Sequence, residues 1–252
     1  MPSLHPPAAA APACVNPALL PPIPCRNDFA IVAQRWFSVL GHAAEVGVWR
    51  GDFSARNLQH WRGEYAAVDT WNFRPGDPTD NDKNYKFEEV NDRNYAIARD
   101  KIAFAGSRAR QVRNDSLSAA ATFADGHFDW LYIDARHTYD ALMADLRAWW
   151  PKLRPGGLLS GDDYGDEKRT PLLSVRRYAA RPKSSSISYA TFRGYPYKQP
   201  KLNHWGVVRA TQEWAAAVNA TLHVTWMPDC YPWPAWYMIK PGCSAGAANA
   251  PN

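Results

Sequence analysis

The sequence predicts one α/β domain: a mostly parallel sheet with an antiparallel C-terminal edge strand and helices on both faces. Three observations predict it. Short apolar segments alternate with stretches of helical period from residue 27 to residue 220, the pattern of repeated strand–helix units. The strongest of these segments, HFDWLYID at 127–134, is nearly continuous in apolar character, as in a strand buried on both faces. Several segments run directly into Gly, Asp or Asn, residues suited to the turn that follows a strand.

Taken in order, NDFAIVAQRWFSVLG at 27–41 reads as a helix capped by Asn27 or Asp28 and stopped by Gly41. AAEVGVW at 43–49 is a short strand running into Gly51, DFSARNLQHW a helix, and EYAAVDTW a second strand ending in Asp69. NFRPGDPTDNDKN is a polar loop, and residues 86–106 are a further helical stretch. ARQVRND at 109–115 is a third strand, LSAAATFADG a helix, and 127–134 the buried strand. In TYDALMADLRAWWPKLRPGG, Leu142, Leu146, Trp149 and Trp150 share one helical face before Pro155-Gly156-Gly157 ends the run. LLSGDD at 158–163 is a strand, VVRATQEWAAAVNA a helix, and LHVTW and AWYMIKP are two strands able to pair antiparallel at the sheet edge.

A chain of 252 residues with 46% hydrophobic and 21% charged residues buries a full core, which excludes a disordered class. Most of its 12 Trp and 12 Tyr are read as packing residues. The net charge of +5 is local: ten Lys and Arg and no acid lie between Lys168 and Arg209. Without zinc-finger, helix-turn-helix or RNP patterns, nucleic acid is not expected as a partner. This strip is read as a solvated basic insert, 168–204, within a single domain spanning 27–242.

Residues 1–26 read as a flexible Pro/Ala-rich leader and 243–252 as a flexible tail. The leader lacks a basic n-region, so a signal peptide is not expected; this leans toward the cytoplasm without fixing the compartment. No apolar stretch reaches membrane-spanning length. Cys14, Cys25, Cys230 and Cys243 allow 14–25 or 230–243 disulfides, or free thiols. Self-association is left open.

Two groups of residues fall where consecutive strands end. The turn Glu45-Val46-Gly47-Val48-Trp49-Arg50-Gly51, followed by Asp52, Phe53 and Ser54, lets backbone approach a ligand at a helix N-terminus. It is not the G-x-G-x-x-G dinucleotide fingerprint, because Trp49 stands at the second glycine position. Asp69 ends the next strand, where a carboxylate accepts both hydroxyls of a ribose or serves as a turn residue. Asp115 or Ser116 either contacts an adenine or caps the following helix.

The second group is Asp134 with Asp162 and Asp163. Carboxylates after buried strands need pairing, hydrogen bonds or a metal, and three converging ones suit an oxygen-preferring ion such as magnesium, Mg2+. Helix capping is the alternative. His137, three residues beyond Asp134, has an imidazole whose ordinary pKa suits it to take a proton from a substrate hydroxyl; packing is again the alternative. His204 is a weaker candidate for substrate contact.

With AEVGVWRGDFS and YAAVDTW upstream, the run FDWLYIDARHTYDALMADLRAWWPKLRPGGLLSGDDY resembles the class I S-adenosylmethionine-dependent methyltransferases, a Rossmann-like fold. Within them it is most similar to the small-molecule O-methyltransferase branch that includes macrocin O-methyltransferase-like enzymes. The resemblance covers 43–163 and 205–241. It implies that S-adenosyl-L-methionine is the cofactor, with Glu45, Gly47 and Gly51 around its methionine part and Ser54 also at the cofactor. Asp69 would hold the ribose, Asp115 and Ser116 would lie near the adenine, and Asp134 would border the cofactor. It further implies a metal on Asp134, Asp162 and Asp163, and His137 as base. The chain departs from the pattern at Trp49 and in the insert 168–204.

The expected function is metal-assisted O-methylation of a hydroxyl on a small molecule or sugar. Tyr164, Arg193, Tyr195 and Tyr197 are expected near the substrate. The competing readings are a non-catalytic binding module that keeps the fold, and a nicotinamide-dependent oxidoreductase.

Overall fold

A computed structural model describes residues 22–37, 41–72, 88–164, 206–225 and 234–242. The strands are β1 (His42–Val46), β2 (Glu64–Asp69), β3 (Ala109–Arg113), β4 (Phe128–Ile133), β5 (Leu153–Gly161), β6 (His223–Val224) and β7 (Trp236–Ile239). They form one sheet in the order β3-β2-β1-β4-β5-β7-β6. The first five strands are parallel, and β7 runs antiparallel to both β5 and β6. The expected antiparallel pair is therefore present, with β7 against the parallel strands and the two-residue β6 outermost.

The helices are α1 (Phe29–Phe37), α2 (Asp52–His60), α3 (Glu88–Ile102), α4 (Ser116–Ala121), α5 (Tyr139–Trp149) and α6 (Val207–Ala217). One apolar cluster joins α1, α2 and α3 to the sheet through Phe29, Leu58, Ala98, Trp130 and Tyr132. Another joins α4, α5 and α6 through Ala120, Leu142, Leu146, Trp149 and Val208. Every residue of β4 is buried, and from Trp130 to Ile133 its side chains alternate between the two clusters. The strand's continuous apolar character thus follows from its central place between two helical layers. Trp61, Trp71, Trp130, Trp149 and Trp236 are fully buried.

Boundaries shift where local chemistry intervenes. The third helix gives way to a 3-10 turn over Ala103–Arg108, which contains Gly106 at φ 59°. β5 begins five residues before the expected strand, because Leu153 pairs with Phe128 across an irregularity that takes up Pro155-Gly156-Gly157. The boundary drawn at 26 for the leader also moves: Ile23 and Cys25 are buried and Arg26–Asp28 form a 3-10 turn. Cys25 is disulfide-bonded, its partner lying outside the described residues. Residues 1–21, residues 73–87 with most of the expected polar loop, the basic insert 168–204 and the tail also lie outside them. Among the described residues no helix is long and apolar enough to cross a membrane.

One buried ion pair ties three strands at the amino end of the sheet. Asp129 accepts from Arg154 Nε at 2.5 Å and from the His42 backbone N–H at 2.7 Å. Both charged side chains are at least nine-tenths buried, so losing the carboxylate strands a buried cation. Asp129→Ala should lower unfolding free energy by about 3 kcal/mol in urea denaturation. A loss below about 1 kcal/mol, the range of an exposed pair, would show that the pair is not what joins these strands.

Candidate functional site

β1 and β4 lie together at the centre of the sheet, flanked by β2 and β5. Residues following all four strands therefore open on one carboxyl edge, where parallel sheets bind ligands.

The β1–α2 turn is shaped by its glycines. Gly47 has φ +94°, and a Cβ there would lie 1.8 Å from the carbonyl oxygen of Asp134. Gly51 has φ +74°, and its Cβ would lie 2.9 Å from Ala98 Cα. Trp49 also has positive φ, 51°. The backbone thus adopts at Trp49 a conformation that glycine takes more readily, although the sequence places a large ring there, 40% exposed.

Asp69 fastens this turn to β2. Its Oδ2 accepts from the backbone N–H groups of Val48 and Trp49, each at 2.8 Å, and its Oδ1 from Trp71 N–H at 2.9 Å. Trp71 Nε1 returns a bond to the Trp49 carbonyl at 2.7 Å. Glu45 is buried beneath the turn, and its Oε2 accepts from Ser54 Oγ at 2.7 Å and Tyr65 OH at 2.6 Å. Asn57 Nδ2 donates to the same tyrosine oxygen at 2.9 Å. Burial pushes the Glu45 carboxyl up to about 8, against the two hydrogen bonds, which lower it.

Across the centre of the sheet, Asp134, His137 and Asp163 come together. His137 Nε2 lies 3.4 Å from Asp134 Oδ1 and 3.1 Å from Asp163 Oδ2. One ligand atom from each of the three falls within 4.8 Å of the others, a spacing able to hold a metal ion. Asp163 sits at φ 52°, and its Oδ1 is buried without a hydrogen-bond partner. Burial pushes its carboxyl up to about 6, opposed by the neighbouring His137. Thr138 caps α5 by accepting from Ala141 N–H at 3.4 Å, which sets His137 just before the helix.

Asp162 takes a different direction. Although adjacent to Asp163, it is buried and pairs with Arg26 from the N-terminal 3-10 turn. Of the three carboxylates expected to converge, Asp134 and Asp163 share the group with His137, while Asp162 belongs to an ion pair. Arg26 had no sequence signal: it is 136 positions from its partner. Tyr65 was more legible, since in a parallel pair with Glu45 opposite Ala67 the alternation puts it on the face of Glu45.

Asp115 caps α4, accepting from Ser118 N–H at 3.0 Å. Ser116 Oγ donates to Asp145 at 2.5 Å and accepts from Trp149 Nε1 at 2.8 Å. Both thus have structural partners at the end of β3. Tyr164, expected near substrate, is buried, and its hydroxyl accepts from Gln212 Nε2 at 3.1 Å; packing against α6 turns it away from a loop role. Arg193, Tyr195, Tyr197 and His204 lie outside the described residues.

Residues 44–164 match the model of a family described as a methyltransferase domain. No curated protein matches the chain. Among solved structures, a Corynebacterium glutamicum protein is 14% identical, with 89% of this chain and 85% of that one covered and a TM-score of 0.51. An O-methyltransferase of tomaymycin synthesis from Streptomyces achromogenes, in complex with SAM, is 14% identical over 86% and 78% of the two chains, with a TM-score of 0.45. An O-methyltransferase from Bacillus cereus in complex with SAH is 15% identical over 88% and 84%, also with a TM-score of 0.45. The first likeness concerns the fold alone, which is Rossmann-like and of the class I methyltransferase type; the other two are too distant to add to it.

Glu45 yields a pH prediction. Its folded-state pKa is raised from 4.5 to about 8, so across that window the folded protein keeps a proton that the unfolded chain releases. Stability from this source is present below the lower value and is lost as pH rises through the upper one. The thermal midpoint of Glu45→Gln should therefore gain on that of the unaltered protein between pH 5 and about pH 8.5. A difference that stays constant over the range would contradict the protonated, buried state of Glu45.

Proposed function

We propose that the chain is an S-adenosylmethionine-dependent methyltransferase that O-methylates a small molecule or sugar with the help of a divalent cation. The observation that carries the reading is a juxtaposition on one sheet edge, within the segment that matches the methyltransferase domain model. The glycine turn with Glu45 and Asp69 lies on one side of the centre, and the Asp134–His137–Asp163 group on the other.

In this reading Glu45, Gly47, Gly51 and Ser54 surround the methionine part of the cofactor. Asp69 holds the turn and borders the ribose, Asp115 and Ser116 stand toward the adenine, and Asp134 lies between cofactor and acceptor. The carboxylates on this edge favour the positive sulfonium electrostatically. Asp134 and Asp163 are suited to hold Mg2+, for which the buried, unpartnered Oδ1 of Asp163 is a fitting donor. Such an ion supplies Lewis acidity that lowers the pKa of an acceptor hydroxyl.

His137 Nε2 takes the hydroxyl proton. The acceptor oxygen forms its bond to the sulfonium methyl as the carbon–sulfur bond breaks, leaving a neutral thioether and a protonated imidazole beside two carboxylates. Alignment and exclusion of water supply much of the rate. The nicotinamide alternative is disfavoured by Trp49, which blocks the dinucleotide glycine pattern.

Calorimetric titration with S-adenosylhomocysteine, with and without Mg2+ and with NAD as control, tests the cofactor. Micromolar binding of the homocysteine nucleoside and none of NAD is expected; no binding under either condition favours the non-catalytic module. His137→Ala should leave that affinity within a few-fold while cutting turnover by about 10²-fold, measured as S-adenosylhomocysteine release across a panel of phenols and sugars. Unchanged turnover would remove His137 from the mechanism.

A further inference from the structure

The N-terminal strap places a protein cation inside the carboxylate group. Arg26 pairs with Asp162 Oδ2, and its Nη2 lies 3.9 Å from Asp134 Oδ2. The guanidinium stacks 4.3 Å from the centre of the Phe53 ring and 5.7 Å from that of Tyr132, and Arg26 is buried. A planar cation between two rings and a carboxylate has little rotational freedom.

The backbone behind it is also fixed. Ile23 is fully buried and its N–H donates to Tyr237 OH at 3.1 Å. Phe29 packs edge-on to Tyr237 and obliquely to Tyr132, at centroid distances of 5.7 and 5.8 Å. The strap therefore joins α2, β4, β5 and β7 at the edge where the glycine turn opens.

We propose that Arg26 is a positioning residue of the methyl-transfer site: it holds Asp162 in an internal ion pair and leaves Asp134 and Asp163, beside His137, as the seat for a divalent cation. This rests on the metal-assisted reading above. Two observations converge on it. Asp162 lies outside the group of ligand atoms within 4.8 Å of one another, and its Oδ2 faces a buried guanidinium. The positive charge also stands close to Asp134, so it opposes a second cation there. Arg26 thereby weakens the seat's hold on a metal.

The test is calorimetric titration of the full chain with Mn2+ alone, which reads the seat without turnover. Arg26→Gln should tighten Mn2+ binding roughly fivefold or more, because one opposing charge is removed, while Arg26→Lys should stay near the unaltered protein. Unchanged or weaker binding by Arg26→Gln overturns the proposal. Arg26→Gln leaves a buried carboxylate without this partner and could fail to fold. The double variant Arg26→Gln/Asp162→Asn removes both charges and decides the matter in that case. It should bind Mn2+ within about threefold of the unaltered protein, whereas lost binding makes Asp162 a ligand and overturns the proposal. Should the unaltered protein bind no Mn2+, the metal-assisted reading fails. Binding gained by Arg26→Gln would then still support Arg26 as the charge that opposes a cation there, and no gain would overturn that too.

Discussion

The carboxylate of Asp69 accepts three backbone N–H groups, from Val48, Trp49 and Trp71, and the shape of the candidate site follows from this clamp. Those amides lie in a turn at the end of β1 and in the loop after β2, where no strand partner satisfies them. Buried amides without acceptors carry a substantial cost, so one carboxylate fixes both loops together. With the Trp71 indole on the Trp49 carbonyl, it holds Trp49 at positive φ. Gly47 can then pass against the carbonyl of Asp134, which brings the turn after β1 directly beside the loop after β4. The two halves of the site meet because of this contact.

The edge so formed concentrates acidic groups, and each is handled differently. Glu45 sits in an apolar setting with two hydroxyl donors, and its carboxyl retains a proton near neutrality. Asp162 is neutralised by Arg26. Asp134 and Asp163 share His137. Three solutions to the desolvation of a carboxylate thus lie within one site: protonation, an internal cation, and an imidazole. The last two each leave an acceptor oxygen without a hydrogen-bond partner, on Asp162 and on Asp163, but of these residues Asp163 alone belongs, among the described residues, to a group of ligand atoms close enough to share an added ion.

Much of the sheet was legible because strand and helix periodicity coincide with local stops. The span 127–134 is nearly continuous in apolar character because β4 is covered on both faces, and Asp69 and Asp134 stand where β2 and β4 end. The placement of Glu45, Gly47, Gly51 and His137 on one edge followed from strand order alone. Side-chain direction did not. Asp162 and Asp163 are neighbours in sequence, yet the positive φ of Asp163 sends one toward His137 and the other toward Arg26. Nothing local to either residue announces that division. The role of residues 22–26 was equally hidden, since Pro and Ala composition reads as a loose leader until the buried partners of Ile23 and Arg26 are known.

The central claim is that the edge organised by Asp69 is where an S-adenosyl ligand binds. Hydrogen–deuterium exchange with and without saturating S-adenosylhomocysteine tests it most directly, because it locates binding on the backbone. The account predicts slowed exchange in the segments around 45–54 and 69–71, where Asp69 and the glycine turn hold the amides. Slowing confined to the opposite edge of the sheet, around His42 and His127, would contradict it.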